Sequence, residues 1–164
     1  MLAGLVSGLA ATAPMTVAME LLHRGLPERE RYPLPPRRIT DRVLEATGVE
    51  PWELSETRRR ELALLNHFAY GAAAGALYGP VMGRTPLPPV PAGVAYGLGV
   101  WAASYLGWLP AAGILPPATR QPARHNALMI AAHVVWGAAT GYVASKLDER
   151  SERSAIARFR PTHR

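Results

Sequence analysis

The residues of this sequence that could do chemistry are titratable and amide side chains set within long apolar stretches. Glu20, His67 and His133 lie inside such stretches, and Asn66 and Asn126 lie at their edges. An ionisable group among apolar residues is costly and usually faces a protein interior or water. Histidine titrates near neutral pH, so this set could accept and release protons. These five residues are therefore the candidate proton or ligand site.

Three interpretations of the two histidines stay open. Each imidazole could bond to a neighbouring helix, which stabilises by about 0.6–2 kcal/mol and fixes helix register. With Glu20, they could form a proton or ion path. They could also hold a haem between them, or share a metal ion with Glu20. No CxxCH motif is present for covalent haem. We expect no cofactor, with His67 and His133 as the ligands if a haem or metal binds.

Several functional classes are disfavoured by the sequence. It has no P-loop, GxSxG, HExxH or dinucleotide fingerprint, so we expect a protein that is not an enzyme. It has no cysteine for a disulfide or a thiolate metal site. The net charge is +6, but the nine arginines of residues 24–61 are mixed with eight acids and form no basic stripe with aromatics. We therefore expect no nucleic-acid partner.

Four apolar segments must position the candidate site. They run over about residues 2–22, 62–83, 90–109 and 126–145, and Glu20 is the one charge within them. A helix needs about 20 apolar residues to cross a bilayer, and soluble helices usually keep a polar face. The prediction is an all-α bundle of four transmembrane helices. Its membrane domain covers residues 1–146, and a charged tail follows at 147–164.

Residues 24–61 are predicted to be the main extramembrane linker. Within it, the prolines of residues 28–38 predict extended backbone rather than a helix. A short helix should then begin at Thr40 as its N-cap and stop at Gly48. Ser55 or Thr57 is predicted to cap the helix that continues into the second span.

The number of spans fixes part of the topology. An even number places both termini on one side of the membrane and the linkers 24–61 and 110–125 on the other. These linkers carry eleven Lys and Arg residues, against seven on the side of the termini. The positive-inside rule therefore favours cytoplasmic linkers. Aromatic residues suited to the membrane interface are Trp52, Tyr78, Trp108 and Tyr142.

The apolar segments contain an apparent internal repeat. Residues 67–75 and 133–141 are identical at five of nine positions, and residues 3–9 and 92–98 at four of seven. These matches occur in the same order along the chain. They predict two parallel two-helix repeats, related by a pseudo-two-fold axis along the membrane normal. His67 and His133 would then lie across this axis.

Glycines at four-residue spacing accompany the repeat. Such spacing places them on one face of each helix and lets two backbones approach closely. The predicted helix-packing residues are Gly4, Gly8, Gly71, Gly75, Gly93, Gly97, Gly137 and Gly141.

Proline-rich turns and one span motif give the chain a family resemblance. They are Tyr32–Pro36, Trp108–Pro110, Gly113–Pro117, and Asn126 with His133–Gly137. In these motifs the chain resembles the YagU-like family of small bacterial inner-membrane proteins of unknown function. The resemblance implies a multi-pass protein of the bacterial cytoplasmic membrane with a link to acid tolerance. It implies no catalytic residues.

The expected function is that of an accessory or assembly component of this membrane. Its partners would be the lipid bilayer and either further copies of the chain or a larger membrane complex. The alternatives are a transporter of protons, ions or small solutes that uses Glu20, His67 and His133, and a haem- or metal-binding membrane protein.

Overall fold

The computed structural model describes residues 1–158, and this range is helical without a β-strand. The predicted all-α class is therefore confirmed. In order, the α-helices are α1 (Leu2–Arg24), α2 (Pro35–Ala46), α3 (Glu56–Ala76), α4 (Tyr78–Met82), α5 (Pro89–Ala102), α6 (Leu109–Ala111) and α7 (Ala123–Arg158). A π-helix, Ala103–Trp108, joins α5 to α6, and short 3-10 helices lie at Glu28–Glu30, Pro51–Glu53 and Ala118–Arg120.

Helices α1 and α7 are long and apolar enough to cross a membrane. The apolar part of α1 spans 23 residues, and that of α7 spans 29 residues. By length and composition, these are the two such helices in the described part of the chain. Residues 159–164 of the predicted tail lie outside that part.

The other two predicted spans, 62–83 and 90–109, fall on interrupted helices. Pro80 has no N–H to donate to the carbonyl of Ala76, and α3 ends at that residue. Pro110 likewise leaves the carbonyl of Leu106 without its helical donor, and Gly107 beside it departs from helical geometry at φ −110° and ψ −105°. Each segment therefore consists of shorter helical pieces in series.

The prediction of extended backbone up to Arg38 is wrong, because α2 begins at Pro35. Pro35 and Pro36 occupy its first turn, where a backbone N–H has no intrahelical acceptor and the fixed φ of proline suits a helix. The predicted N-cap is wrong for the same reason. Thr40 lies inside α2, and its hydroxyl donates to the carbonyl oxygen of Pro36 at 2.9 Å.

The predicted helix boundaries after α2 agree with the structure. The helix ends at Ala46, and Gly48 adopts a positive φ of 81°, a conformation that side chains disfavour. Ser55 caps α3, since its Oγ accepts a hydrogen bond from the backbone N–H of Arg58 at 3.3 Å.

Close backbone contacts join α1 to α3. A Cβ atom on Gly8 would collide with the carbonyl oxygen of Gly71 and lie 2.6 Å from the Cα of Gly75. A Cβ on Gly4 would meet the carbonyl of Gly75. These obstacles are backbone atoms, so they cannot move aside as a flexible side chain would. The helices approach this closely because all four positions lack a side chain.

A second set of close contacts joins α5 to α7. A Cβ on Gly93 would lie 2.9 Å from the backbone nitrogen of Gly141, and one on Gly97 would lie 3.0 Å from the Cα of Gly137. A Cβ on Gly137 would in turn lie 2.9 Å from the carbonyl carbon of Gly93. Any larger residue at these positions would force the two helices apart.

The α1–α3 pair and the α5–α7 pair approach each other closely on one side and less closely on the other. Helix α7 packs along α1, where the indole Nε1 of Trp136 donates to the carbonyl oxygen of Gly8 at 3.1 Å. The described backbones of α3 and α5 make no comparable approach. Side chains bridge them instead, since the hydroxyl of Tyr96 donates to the carbonyl oxygen of Ala74 at 2.6 Å. This unequal spacing leaves room between α3 and α5.

Helices α1 and α7 run in opposite directions. Near the start of α1, Leu2 and Val6 share a shallow groove with Leu147 and Ser151 of α7. The N-terminus and the charged end of α7 therefore lie at one end of the molecule, and the linkers lie at the other.

We predict that alanine at a glycine contact destabilises the protein while alanine elsewhere does not. Gly8→Ala and Gly137→Ala should each lower the free energy of unfolding by about 1–3 kcal/mol, because overpacking displaces backbone. The matched control is Gly99→Ala, whose Cβ would meet nothing within 4 Å. It should be neutral or stabilising, since alanine is the better helix former. Thermal unfolding in detergent measures all three, and equal melting temperatures would contradict the close-contact argument.

Candidate functional site

His67 and His133 line one cavity in the linker-side half of the molecule. Its volume is about 90 Å³, which is room for several water molecules. Its walls come from α1, α2, α3, α7 and the segment from α5 through the π-helix to Leu109. The structure therefore brings together the two histidines that the sequence singled out.

His133 is held in one orientation. Its Nδ1 donates to the carbonyl oxygen of Met129 at 2.8 Å, one turn earlier in α7. A ring nitrogen that donates carries the proton, so the neutral imidazole keeps its lone pair on Nε2. The ring of Tyr105 packs edge-on against it, with ring centroids 5.9 Å apart. His133 is thus fixed by packing and by a hydrogen bond while Nε2 stays available.

His67 has the opposite character. Its Nε2 is buried, and no described residue forms a hydrogen bond with it. Buried polar atoms in folded proteins nearly always have a partner, so an exception marks a place where a water, a proton or a ligand belongs. Of the two histidines, His67 is therefore the one that the protein's own groups leave unsatisfied.

Hydroxyl and amide groups complete the polar lining of the cavity. Tyr70 and Ser104 share a hydrogen bond of 2.8 Å across the gap between α3 and the π-helix. Asn66 donates from Nδ2 to the hydroxyl of Thr40 at 3.0 Å, so this predicted site residue lies at the cavity wall and connects it to α2. The sequence analysis missed Tyr70 and Ser104. Ser104 carried a usable signal, because it is the one Ser or Thr within residues 90–109.

On the side of the termini, the cavity extends to Ala74 and Trp136. Trp136 forms part of its lining and is itself almost fully buried. Beyond it lie the glycine contacts between α1 and α3, which close the space between those two helices. On the linker side, Pro35, Pro36 and Ile39 of α2 cover the cavity. Helix α2 therefore bounds the cavity at the linker end.

A larger groove of about 600 Å³ adjoins the cavity between α1, α3 and the linker. His67 lines both spaces, so its ring stands at their partition. Glu20 lies in the groove rather than in the cavity. Its carboxylate lies 3.3 Å from the guanidinium of Arg24 and 3.8 Å from that of Arg60. The structure thus places Glu20 at the rim and separates it from His133.

Asn126 lies outside the cavity. Its Nδ2 donates to the carbonyl oxygen of Ala118, and this bond fastens the 3-10 turn before α7 to the helix itself. The structure therefore assigns Asn126 a contact within the linker rather than a place beside the histidines.

Ion pairs hold α2 over the cavity. The guanidinium of Arg37 makes two hydrogen bonds to the carboxylate of Glu56, at the start of α3. One turn further along each helix, Arg59 binds Asp41 at 2.7 Å, and both side chains are about one fifth exposed. The hydrogen bonds from Arg37 lower the pKa of Glu56, and the neighbouring Arg59 acts in the same direction. Both helices are thus joined by charge-assisted contacts at the cavity entrance.

The cavity offers limited means of holding a cofactor. The described residues include no cluster of three or more His, Asp or Glu side chains suited to a metal ion. Pockets for drug-sized ligands measure about 300–1,000 Å³, well above the volume between the histidines. A porphyrin between His67 and His133 does not fit this arrangement.

We predict that Glu56→Gln loosens α2, because the Arg37 guanidinium loses its charged partner. Hydrogen exchange of residues 35–46, corrected for intrinsic rates, should become faster. Glu45→Gln is the matched control, since Glu45 pairs within α2 with Arg42.

The contact between Arg37 and Glu56 should weaken at acidic pH. The pKa of Glu56 is lower in the folded protein than the ordinary value of about 4.5. Its contribution to stability is therefore complete above the unfolded pKa and is lost as pH falls through the folded pKa. Protection of α2 in the unaltered protein should decline below about pH 4.5, and Glu56→Gln should show a smaller decline. An identical acid response in both proteins would contradict the assignment.

Comparison with known proteins gives a family and no function. Residues 24–141, well over half of the chain, match the family described as "Protein of unknown function (DUF1440)". No match was found among curated proteins or among solved structures. The matched range contains both histidines and α2, and it agrees with the resemblance to a family of unknown function. The chain therefore belongs to the DUF1440 family of proteins of unknown function.

Proposed function

We propose that this chain is a four-span protein of the bacterial cytoplasmic membrane, without enzymatic activity, that takes up protons through His67 and His133. The observation that carries the proposal is one linker-side cavity that reaches both imidazoles. In a protein where histidines only tie helices together, packing would fill this space.

Exposed apolar surface supports the membrane setting. The apolar windows of α1 and α7 are 39% and 50% buried, whereas the core helix of a soluble protein is mostly buried. Large apolar side chains cover the outside, among them Val17, Leu21, Leu65 and Val81, each more than half exposed. Apolar side chains that would be costly to leave in water are accommodated by the hydrocarbon of a bilayer. The interrupted segments α3–α4 and α5–α6 pack beside these helices and would complete four spans.

The glycine contacts support two parallel repeats. Gly8 aligns with Gly97 in the repeat, and Gly71 aligns with Gly137. Gly8 contacts Gly71 across α1 and α3, and Gly97 contacts Gly137 across α5 and α7. Equivalent positions thus make equivalent contacts.

One aligned pair departs from this symmetry. Trp136 reaches from α7 to the carbonyl of Gly8 on α1, whereas its counterpart Tyr70 reaches from α3 to Ser104. The smaller tyrosine side chain lies where α3 and α5 stand apart. In this interpretation the cavity is a consequence of the difference between the two repeats.

Proton uptake follows from the groups around the histidines. A proton arriving through the groove would meet Nε2 of His67 first and could pass through water in the cavity to Nε2 of His133. The other titratable groups facing the cavity are Tyr70 from α3 and Tyr105 from the π-helix, while α1 and α2 contribute uncharged side chains. With no carboxylate in the cavity wall, a protonated pair carries net positive charge. Two such charges close together repel, so the pair should accept one proton more readily than two.

An accessory or assembly role is the second candidate. It is favoured by the exposed apolar surface, which could equally bury against other membrane proteins. Such a component would give no proton flux, and its two histidines would affect stability alone.

We predict that the reconstituted protein dissipates a pH gradient and that either histidine is required. His67→Ala and His133→Ala should each reduce proton flux to the level of protein-free vesicles, because each removes one proton-binding group from the proposed route. A pH-sensitive dye inside the vesicles measures the rate. The matched control is His125→Gln on α7, a buried histidine that does not line the cavity.

Flux equal to that of empty vesicles for the unaltered protein would reject proton uptake and favour the accessory role. Loss in the His125 variant as well would indicate general damage to the fold. Melting temperatures of all variants separate these outcomes.

We also predict a non-cytoplasmic C-terminus. Four spans with cytoplasmic linkers place both ends of the chain outside. A reporter fused after Arg164 that is active only outside the cytoplasm should give signal, and one active only inside should not. The reverse result would invert the proposed orientation and move the cavity entrance to the outer face.

A further inference from the structure

The groove beside Glu20 is built as an amphipathic space. Helices α1 and α3 touch at their glycines and separate towards the linker, where the groove opens to about 600 Å³. Its apolar walls include the buried Met19 and Ala63 and the more exposed Leu64. Its mouth is lined by arginines and by the backbone of the linker. One end of a ligand would therefore contact charge and the other would contact hydrocarbon.

Positive charge is in excess at the mouth of the groove. The carboxylate of Glu20 is shared between Arg24 at 3.3 Å and Arg60 at 3.8 Å. Arg31 donates to the carbonyl oxygens of Arg24 and Leu26, both at 2.8 Å, and has no carboxylate within ion-pair distance among the described side chains. Arg60 thus shares the carboxylate of Glu20 with Arg24, and Arg31 in the same groove has no charged partner of its own among those side chains. The two other arginines of the groove, Arg37 and Arg59, are neutralised by their partners on α2 and α3.

Arg31 is also held rigidly. Its two hydrogen bonds to the end of α1 fix the guanidinium and satisfy backbone carbonyls that the helix leaves without donors. A fixed fork of N–H groups loses little conformational entropy when it binds an anion, and phosphate oxygens match its geometry. Arg60 faces it from α3 as a largely exposed side chain.

The height of this cluster matches a lipid headgroup. Arg31 follows the end of α1, and Arg60 precedes the apolar part of α3, so both lie where the chain would leave the hydrocarbon. Basic pockets at this level on the cytoplasmic side are where anionic headgroups bind. Leu21 and Leu65 flank the groove as exposed apolar side chains that would meet acyl chains.

We propose that the groove is a binding site for an anionic phospholipid. The phosphodiester lies between the guanidiniums of Arg31 and Arg60, and one acyl chain lies along Met19 and Leu64. The inference rests on the membrane setting proposed above but not on proton uptake. A bound acyl chain would end near His67, which also lines the groove.

The experiment is equilibrium binding of fluorescent phosphatidylglycerol to the purified protein in uncharged detergent micelles. Phosphatidylcholine with the same chains is the zwitterionic comparison. Phosphatidylglycerol should bind more tightly, because the choline ammonium opposes the arginines. Each neutralised arginine should weaken binding about fivefold, from about 1 kcal/mol per charge near a membrane surface. The affinity for phosphatidylglycerol should therefore fall about fivefold in Arg60→Gln and about fivefold again in the double variant Arg31→Gln, Arg60→Gln.

Arg42→Gln is the matched control, because Arg42 carries the same charge on α2 and pairs with Glu45 outside the groove. Equal weakening by Arg42→Gln and Arg60→Gln would overturn a specific site in favour of general attraction. Full displacement of the lipid by inorganic phosphate at millimolar concentration would overturn the lipid assignment in favour of a free anion. Arg31→Lys keeps the charge, so retained lipid binding in that variant, with Arg60→Gln weakened, supports the proposal even if Arg31→Gln fails to fold. These binding results do not depend on whether the protein carries protons.

Discussion

The rest of the structure depends on the backbone around Gly8. The backbone of Gly8 lies so close to Gly71 and Gly75 that a methyl group on its Cα would not fit. Its carbonyl oxygen accepts from the hydroxyl of Thr12 at 2.8 Å and from the indole of Trp136 at 3.1 Å. One glycine thus joins α1 to α3 by contact and to α7 by a hydrogen bond. Three of the four long segments take their relative positions from this place.

The cavity follows from how this arrangement is completed. Because Trp136 secures α7 against α1, the segment from α5 to α6 is carried with α7, to which it is joined by its own glycines. Helix α3 stays with α1. Between α3 and α5 the spacing is then set by tyrosines, through Tyr96 and Tyr70, rather than by glycine contacts. Tyrosine side chains hold backbones further apart, and the space they leave contains the two histidines.

Much of this organisation could be predicted from the sequence, because its signals are local. Four-residue glycine spacing identifies a contact face from one helix alone, and Ser55 and Gly48 mark boundaries through short-range backbone chemistry. The start of α2 was missed because prolines at residues 35 and 36 are compatible with either extended backbone or a first helical turn. Tertiary contacts favour the helical turn over extended backbone. Arg37 of α2 pairs with Glu56 of α3, and Arg59 of α3 pairs with Asp41 of α2.

In the candidate site, too, some features could be predicted from local sequence signals and others depend on tertiary contacts. His67 and His133 were identified because titratable residues in apolar runs are rare. The separation of Glu20 from them depends on its arginine partners, which come from two different helices. The role of Asn126 depends on a turn eight residues earlier in the chain. Neither arrangement leaves a periodic signal in the sequence.

The prolines that interrupt two of the long segments give the molecule unequal stiffness. Pro80 and Pro110 each remove a helical hydrogen bond in the α3–α4 and α5–α6 segments, and Gly107 adds a residue already off helical geometry. Bending about such points costs less than bending an uninterrupted helix. Helix α3 and the segment from Val100 to Leu109 line the cavity, while α7 behind them is continuous over 36 residues. The departure from helical geometry at Gly107 therefore lies within the cavity wall, whereas the interruption at Pro80 lies beyond it, so the wall formed by the π-helix is more easily deformed than the wall formed by α3.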